Sequence, residues 1–136
     1  MQGEPRTMQR DPVYADVVGE VMAFLEQRVA ACLAAGIARE RLVVDPGFGF
    51  GKTAEHNLTL LAHLRRLGDL GLPVLAGLSR KSVLGAITGR PVKERLAASV
   101  TAAVLAVERG AAIVRVHDVA ATRDALAVLN AVRRSE

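Results

Sequence analysis

The chain has 136 residues, 51% of them hydrophobic and 24% charged, which suits one packed domain and excludes a disordered tail. Its longest uncharged run, Leu96 to Val107, has 12 residues, well short of the ~20 that a membrane-spanning helix needs. Eighteen Lys and Arg against fourteen Asp and Glu give a net charge of +4, spread along the chain rather than clustered, which favours an anionic small-molecule ligand over nucleic acid.

Residues 1–16 carry Arg6, Arg10 and two prolines without an apolar core, so no secretory signal is read there. Asp11-Pro12 predicts the start of a first helix, with an acceptor at the N-cap and a proline in the first turn. The helix runs to about Ala35, with Val18, Met22, Leu25, Val29 and Leu33 as its apolar stripe and Gly36 as its left-handed stop. The single Cys32 lies within it, which excludes a disulfide framework or cysteine-based zinc site and fits a reducing cytoplasm. Arg41 to Asp45 reads as a buried strand that enters the glycine-rich loop Pro46-Gly47-Phe48-Gly49-Phe50-Gly51.

Thr53 then caps a second helix to Leu67, with Leu58, Leu61 and Leu64 inward and Gly68 beyond its end. A second strand, Pro73 to Leu78, runs into Ser79-Arg80-Lys81-Ser82, where Ser79 is expected to cap a short helix to about Ile87. Pro91 opens a longer helix whose Leu96, Val100, Ala103, Val104 and Val107 face one way, and Gly110 ends it. The third strand, Ala111 to Val116, leads to His117-Asp118. Asp118 caps a last helix with Ala125, Leu126, Leu129 and Val132 inward and Arg133 and Arg134 at its negative end.

Strands alternating with helices predict right-handed βαβ units and a parallel sheet. Three strands leave such a sheet open at its edges, and a closed (β/α)₈ barrel takes roughly 250 residues. The expectation is therefore an α/β chain of three parallel strands with their helices, cut from the C-terminal part of a TIM barrel, with Met1 internal to the larger protein.

In such an arrangement the loops after the strands share one face, where ligands bind. Asp45 with its Gly/Phe loop, the 79–82 turn, and Arg115 with His117 thus become neighbours, and the last two share a face of one strand. Arg80, Lys81, Arg115 and His117, with the N–H groups of the helix beginning near Ser82, make an anion site. The carboxylate of Asp45 can accept two parallel hydrogen bonds from an amidine-like edge such as that of a 2-aminopyrimidinone, with Phe48 and Phe50 as a flat wall. Plainer readings stand beside these: Asp45 as a turn cap, both phenylalanines as core plugs, Arg80 and Lys81 as exposed charges, Arg115 and His117 paired with Asp118. His56 and His63 lie on the second helix without a third ligand, and Lys52 and Lys93 read as solvated surface.

Three motifs in order, Val44-Asp45-Pro46-Gly47-Phe48-Gly49-Phe50-Gly51-Lys52, Gly77-Leu78-Ser79-Arg80-Lys81-Ser82 and Ile113-Val114-Arg115-Val116-His117-Asp118, closely resemble dihydropteroate synthase. Met1-Gln2-Gly3 with Pro5 and Met8 resembles the stretch after that family's fifth barrel strand. The resemblance spans residues 1–136, which it makes a single partial pterin-binding domain lacking the N-terminal half of the barrel. It implies a transferase of folate biosynthesis that condenses 4-aminobenzoate with (7,8-dihydropterin-6-yl)methyl diphosphate, giving 7,8-dihydropteroate and pyrophosphate. By the same resemblance Asp45, Lys81 and Arg115 hold the pterin, and Arg115 and His117 the diphosphate. Phe50, Ser79, Arg80 and Ser82 form the 4-aminobenzoate pocket, where sulfonamides compete. Lys81, Arg115 and His117 are the catalytic set. It further implies Mg²⁺ on the diphosphate, held from the half of the barrel not matched here, a cytoplasmic homodimer, and no nucleic-acid or membrane partner. A pterin-binding methyltransferase barrel and a non-catalytic half-barrel that assembles with itself or a partner are the alternatives.

Overall fold

The structure, a computed structural model, describes residues 12–135. Its regular elements, in chain order, are α1 (Val17–Ala34), α2 (Ala54–Ala62), β1 (Leu75–Ala76), α3 (Ser82–Thr88), α4 (Leu96–Glu108), β2 (Ile113–Val114) and α5 (Val119–Arg133). β1 pairs in parallel with β2, Leu75 opposite Ile113 and Ala76 opposite Val114. On the opposite edge, Val44 makes one parallel bridge to Val74, with Val44 donating to Pro73 at 3.0 Å and accepting from Leu75 at 2.8 Å. β1 is thus the middle of three parallel segments, as the α/β reading expects.

The segments are shorter than predicted. Arg39–Arg41 forms a 3-10 turn, and Val43 is 48% exposed, so the predicted strand 41–45 shrinks to the Val44 bridge.

α1 begins at Val17 rather than at Pro12. Asp16 accepts from Val18 N at 3.1 Å and Gly19 N at 3.0 Å, while Glu20 accepts from Ala15 N and Asp16 N. This double cap satisfies more first-turn donors than a proline start could. Asp11 lies outside the described residues, as do Met1, Gln2, Gly3, Pro5 and Met8. Val17, Val18, Val21 and Leu25 are buried, with Met22 and Val29 packed beside them. Leu33 is 39% exposed, past the edge of the core, and Gly36 closes the helix with φ +84° as expected.

Thr53 caps α2 in a reciprocal box with His56, at 3.1 and 3.3 Å. The helix ends at Ala62, however, and the chain tightens into a 3-10 turn over Leu64–Leu70 that closes on Gly71, not Gly68. The cause is the leucine spacing: Leu64, Leu67 and Leu70 recur every three residues, which a 3-10 helix stacks on one face, and all three are buried. Leu58, placed inward by the helical reading, is exposed.

α4 buries Ser99, Ala102, Ala103 and Ala106, a face rotated from the predicted one, and Leu96 is exposed. A helix this apolar carries little rotational signal, and its small residues face the close contacts with β2 and α5. In α5 only Thr122 is fully buried, Ala125, Leu126 and Leu129 are half-buried, and Val132 is exposed. Among the described residues no helix is long and apolar enough to cross a membrane.

Candidate active site

The glycine loop folds back on the end of the first segment. Asp45 is exposed, and its Oδ1 accepts from Gly47 N at 2.8 Å, so one carboxylate oxygen shapes the turn and the other stays available. Phe50 N closes that turn onto Gly47 O at 3.1 Å. Phe48 is 1% exposed and plugs the core, whereas Phe50 is 41% exposed. Gly49 has φ +77°, and a Cβ there would stand 2.9 Å from Lys81 Cδ, so both its backbone and its space require glycine.

Two residues that organise this loop escaped the sequence reading. Asn57 is buried, accepts from Gly49 N at 2.7 Å and donates to Thr53 O at 2.6 Å. Lys52, read as solvated surface, is 6% exposed and donates to Gly47 O and Phe50 O, each at 3.1 Å. A signal for Lys52 was available: it directly precedes the Thr53 cap, where the positive end of α2 disfavours a cation. A lysine in that place needs another partner. Burial lowers its pKa from 10.5 to about 8, opposed by Asp45 and assisted by Lys81.

After β1, Ser79 is buried but caps nothing. α3 begins behind Lys81 without a side-chain cap, and the Ser79 hydroxyl turns to the next strand end. It accepts from His117 N at 3.2 Å and lies 2.9 Å from His117 Nδ1. This side-chain contact joins the two strand ends, and which atom donates in it depends on the ring's tautomer. Arg80 has φ 59°, a left-handed conformation rare for a residue with a side chain. Several bonds hold it there: Arg80 N donates to Ser99 Oγ at 3.0 Å, and Arg95 donates to Arg80 O and Lys81 O.

The Arg80 guanidinium grips both oxygens of Asp118, at 2.8 and 3.3 Å. Asp118 therefore stands at the start of α5 without capping it by its side chain, and pairs with Arg80 rather than with Arg115 or His117. Lys81 Nζ donates to Phe48 O and sits 4.3 Å from the centre of the Phe50 ring. Its pKa is lowered by burial first, then by Arg115, with Asp45 opposing. Ser82 is exposed at the start of α3.

Arg115 projects from the end of β2 across Gly77, where a Cβ would come within 2.7 Å of its Nη2. Together Gly77, Ser79, Arg80, Lys81, Arg115 and His117 line an open cleft of about 400 Å³. Asp45 does not line this cleft; it borders a smaller cavity of about 160 Å³ with Tyr14, Phe24, Gly47 and Lys52. Lys81 lines the cleft only, and both Arg115 and Asp45 act on its charge. Among the described residues no group of three or more His, Cys, Asp or Glu could hold a metal ion.

A parallel α/β array that gathers cations and one exposed acid at its strand ends is the architecture of a protein that binds a small anionic ligand. The chain belongs to the pterin binding enzyme family, whose model matches residues 1–117. It is 54% identical over 131 residues to the dihydropteroate synthase of Haemophilus influenzae, covering 96% of this chain and 48% of that one. Among solved structures it resembles Yersinia pestis dihydropteroate synthase in complex with a sulfonamide drug, at 45% identity and TM-score 0.97, over 100% of this chain and 50% of that one. It also resembles Xanthomonas albilineans dihydropteroate synthase in complex with 7,8-dihydropteroate, at 58% identity and TM-score 0.89, over 90% and 47% of the two chains. The chain spans about half the length of the curated relatives it matches.

Proposed function

We propose that residues 1–136 are a single partial domain, the C-terminal part of a dihydropteroate synthase barrel, and supply one wall of its active site. The remaining half of the barrel corresponds to the part of the relatives outside the matched span. The reaction joins 4-aminobenzoate to (7,8-dihydropterin-6-yl)methyl diphosphate. The arylamine nitrogen attacks the methylene carbon, the carbon–oxygen bond to the diphosphate breaks with its electron pair leaving on oxygen, and the amine loses a proton to water.

The observation that carries this reading is the charge of the 400 Å³ cleft. Lys81, Arg115 and His117 line it, and the nearby acid Asp118 is already bound by Arg80, so Lys81 and Arg115 are left as cations for a leaving diphosphate. An arylamine is neutral near pH 7 and needs no strong base, so orientation and stabilisation of the departing anion are the main tasks. Asp45 takes the amino and N3 edge of the pterin, and Lys81 its carbonyl side. Arg115 covers the ring and reaches the diphosphate, with His117 also on the diphosphate. Phe50 flanks the aminobenzoate ring and Ser82, with the start of α3, its carboxylate. Ser79 and Arg80 shape that pocket through His117 and Asp118. Sulfonamides compete for the same pocket. Mg²⁺, held by residues outside this chain, would neutralise charge on the leaving diphosphate. The setting is a cytoplasmic enzyme, dimeric as a whole.

The relatives' names weigh against a methyltransferase barrel. One observation favours the non-catalytic reading for this chain by itself: Ile113, Val119 and Val128 are exposed along β2 and α5, Val119 and Val128 at 65% each, which invites association. Sedimentation separates a monomer from such an assembly.

The test is titration calorimetry of a 2-amino-4-oxopteridine against an assembly that restores the missing half of the barrel, with and without Asp45→Ala. Loss of a charge-assisted contact weakens binding about ten- to a hundred-fold. Equal affinities for the two proteins would sink the pterin role.

A further inference from the structure

We propose that Lys52 is a positioning residue, which fixes the glycine loop so that the Asp45 carboxylate and the Phe50 ring meet a ligand at a set separation. The proposal rests on the pterin reading of Asp45 and adds to it a residue whose ammonium is turned to the loop's own carbonyls.

A lysine with 6% exposure is uncommon. Burying an ammonium is costly unless its hydrogen bonds are met, yet Lys52 makes no ion pair among the described residues. Its Nζ instead donates to Gly47 O and Phe50 O. Those two residues bound the turn that Phe50 N closes onto Gly47 O. The Tyr14 ring, its centre 5.9 Å away, offers a face to the same ammonium. One charged group therefore ties the residue bonded to the Asp45 carboxylate to the residue that bears the exposed ring.

The loop has a second lysine, but of a different kind. Lys81 holds Phe48 O from the cleft side and borders the open cleft, so a ligand that engages its ammonium competes with that bond. Lys52 holds the loop from the smaller cavity that Asp45 also borders and does not line the open cleft, so a ligand in the cleft leaves both its bonds in place. The pair divides the work: Lys81 is the tie a ligand can exchange, and Lys52 is the tie that stays. An equally stable loop could be made with an apolar side chain at position 52, so a merely structural role predicts no link between this residue and ligand affinity.

The experiment compares the full chain with Lys52→Met, which keeps the side-chain stem and removes Nζ, and with Asp45→Ala. Three quantities are read: the urea midpoint, amide hydrogen exchange over residues 45–51, and affinity for a 2-amino-4-oxopteridine. The expected result is a midpoint equal to or above that of the unsubstituted chain, faster exchange at the Phe50 and Gly49 amides, and pteridine affinity weaker by about five- to thirty-fold. Unchanged exchange, or unchanged affinity where Asp45→Ala loses affinity, overturns the role of Lys52. If Asp45→Ala binds as tightly as the unsubstituted chain, the pterin reading fails; in that case, or if this half-site binds no pteridine, the exchange data alone decide whether Lys52 positions the loop. Should Lys52→Met not fold, Lys52→Gln, with a shorter neutral side chain, is read in its place, and protection equal to that of lysine overturns the proposal.

Discussion

Lys52 makes the stability of this chain depend on pH in an unusual direction. The folded chain releases its proton at about pH 8, against 10.5 for a solvated lysine. Below pH 8 folded and unfolded chains both hold the proton, and this group contributes no slope. Between 8 and 10.5 the unfolded chain holds a proton that the folded chain has lost, so stability rises with pH. The gain is about 2 kcal/mol once partial solvent access is allowed for. Asp45 works against the shift and Lys81 with it, while Glu20 and Tyr14 border the same cavity. Lys81 is itself displaced downward and adds a slope of the same sign, so the useful quantity is a difference. Urea unfolding of the unsubstituted chain and Lys52→Met, at neutral pH and near pH 10, isolates the one group. The unsubstituted chain gains on Lys52→Met as pH rises. A difference that stays constant over that range would refute the reasoning, because it would mean that the ammonium is not buried in the folded chain.

Three further outcomes follow from the same geometry. Gly49→Ala forces a side chain into a left-handed backbone 2.9 Å from Lys81 Cδ; it should lower stability by about 1–3 kcal/mol, read as a shift of the urea midpoint at unchanged slope. Ser99→Ala leaves Arg80 N without its acceptor at 3.0 Å, at a cost of about 1–2 kcal/mol, whereas Ser99→Thr should recover most of that loss by the same measurement. Arg115→Ala, in an assembly that turns over, should lower kcat by about ten- to a hundred-fold with little effect on 4-aminobenzoate binding; equal losses in both would contradict its assignment to the diphosphate.

Much of the architecture was legible because it depends on order. Alternating apolar runs and amphipathic stretches gave the parallel arrangement, and glycine at 36 and threonine at 53 marked boundaries that local hydrogen bonds enforce. Misreadings came where two local signals competed. Asp11-Pro12 and Asp16 with Glu20 are both credible helix starts, and the second prevails by satisfying four backbone donors. Leucines at 64, 67 and 70 fit an α-helical stripe loosely and a 3-10 turn better. At the strand ends the residues that meet were legible, since topology alone brings them together. Which of them bond to one another was not. Ser79 reached for His117 and Asp118 for Arg80 across 38 residues of chain, and no local pattern encodes such pairings. Lys52 was hardest, because its burial results from the loop folding back over it.

Gly77 sets one dimension of the cleft by what it lacks. Arg115 lies where a methyl group at position 77 would stand, 2.7 Å from its Nη2. The lateral place of that guanidinium is thus fixed by a hydrogen atom on the neighbouring strand. Even alanine there would push the charge outward and change the width of the gap between Arg115 and Lys81. The spacing of two cations, and with it the size of anion they can bridge, is set at a residue that offers the ligand no functional group.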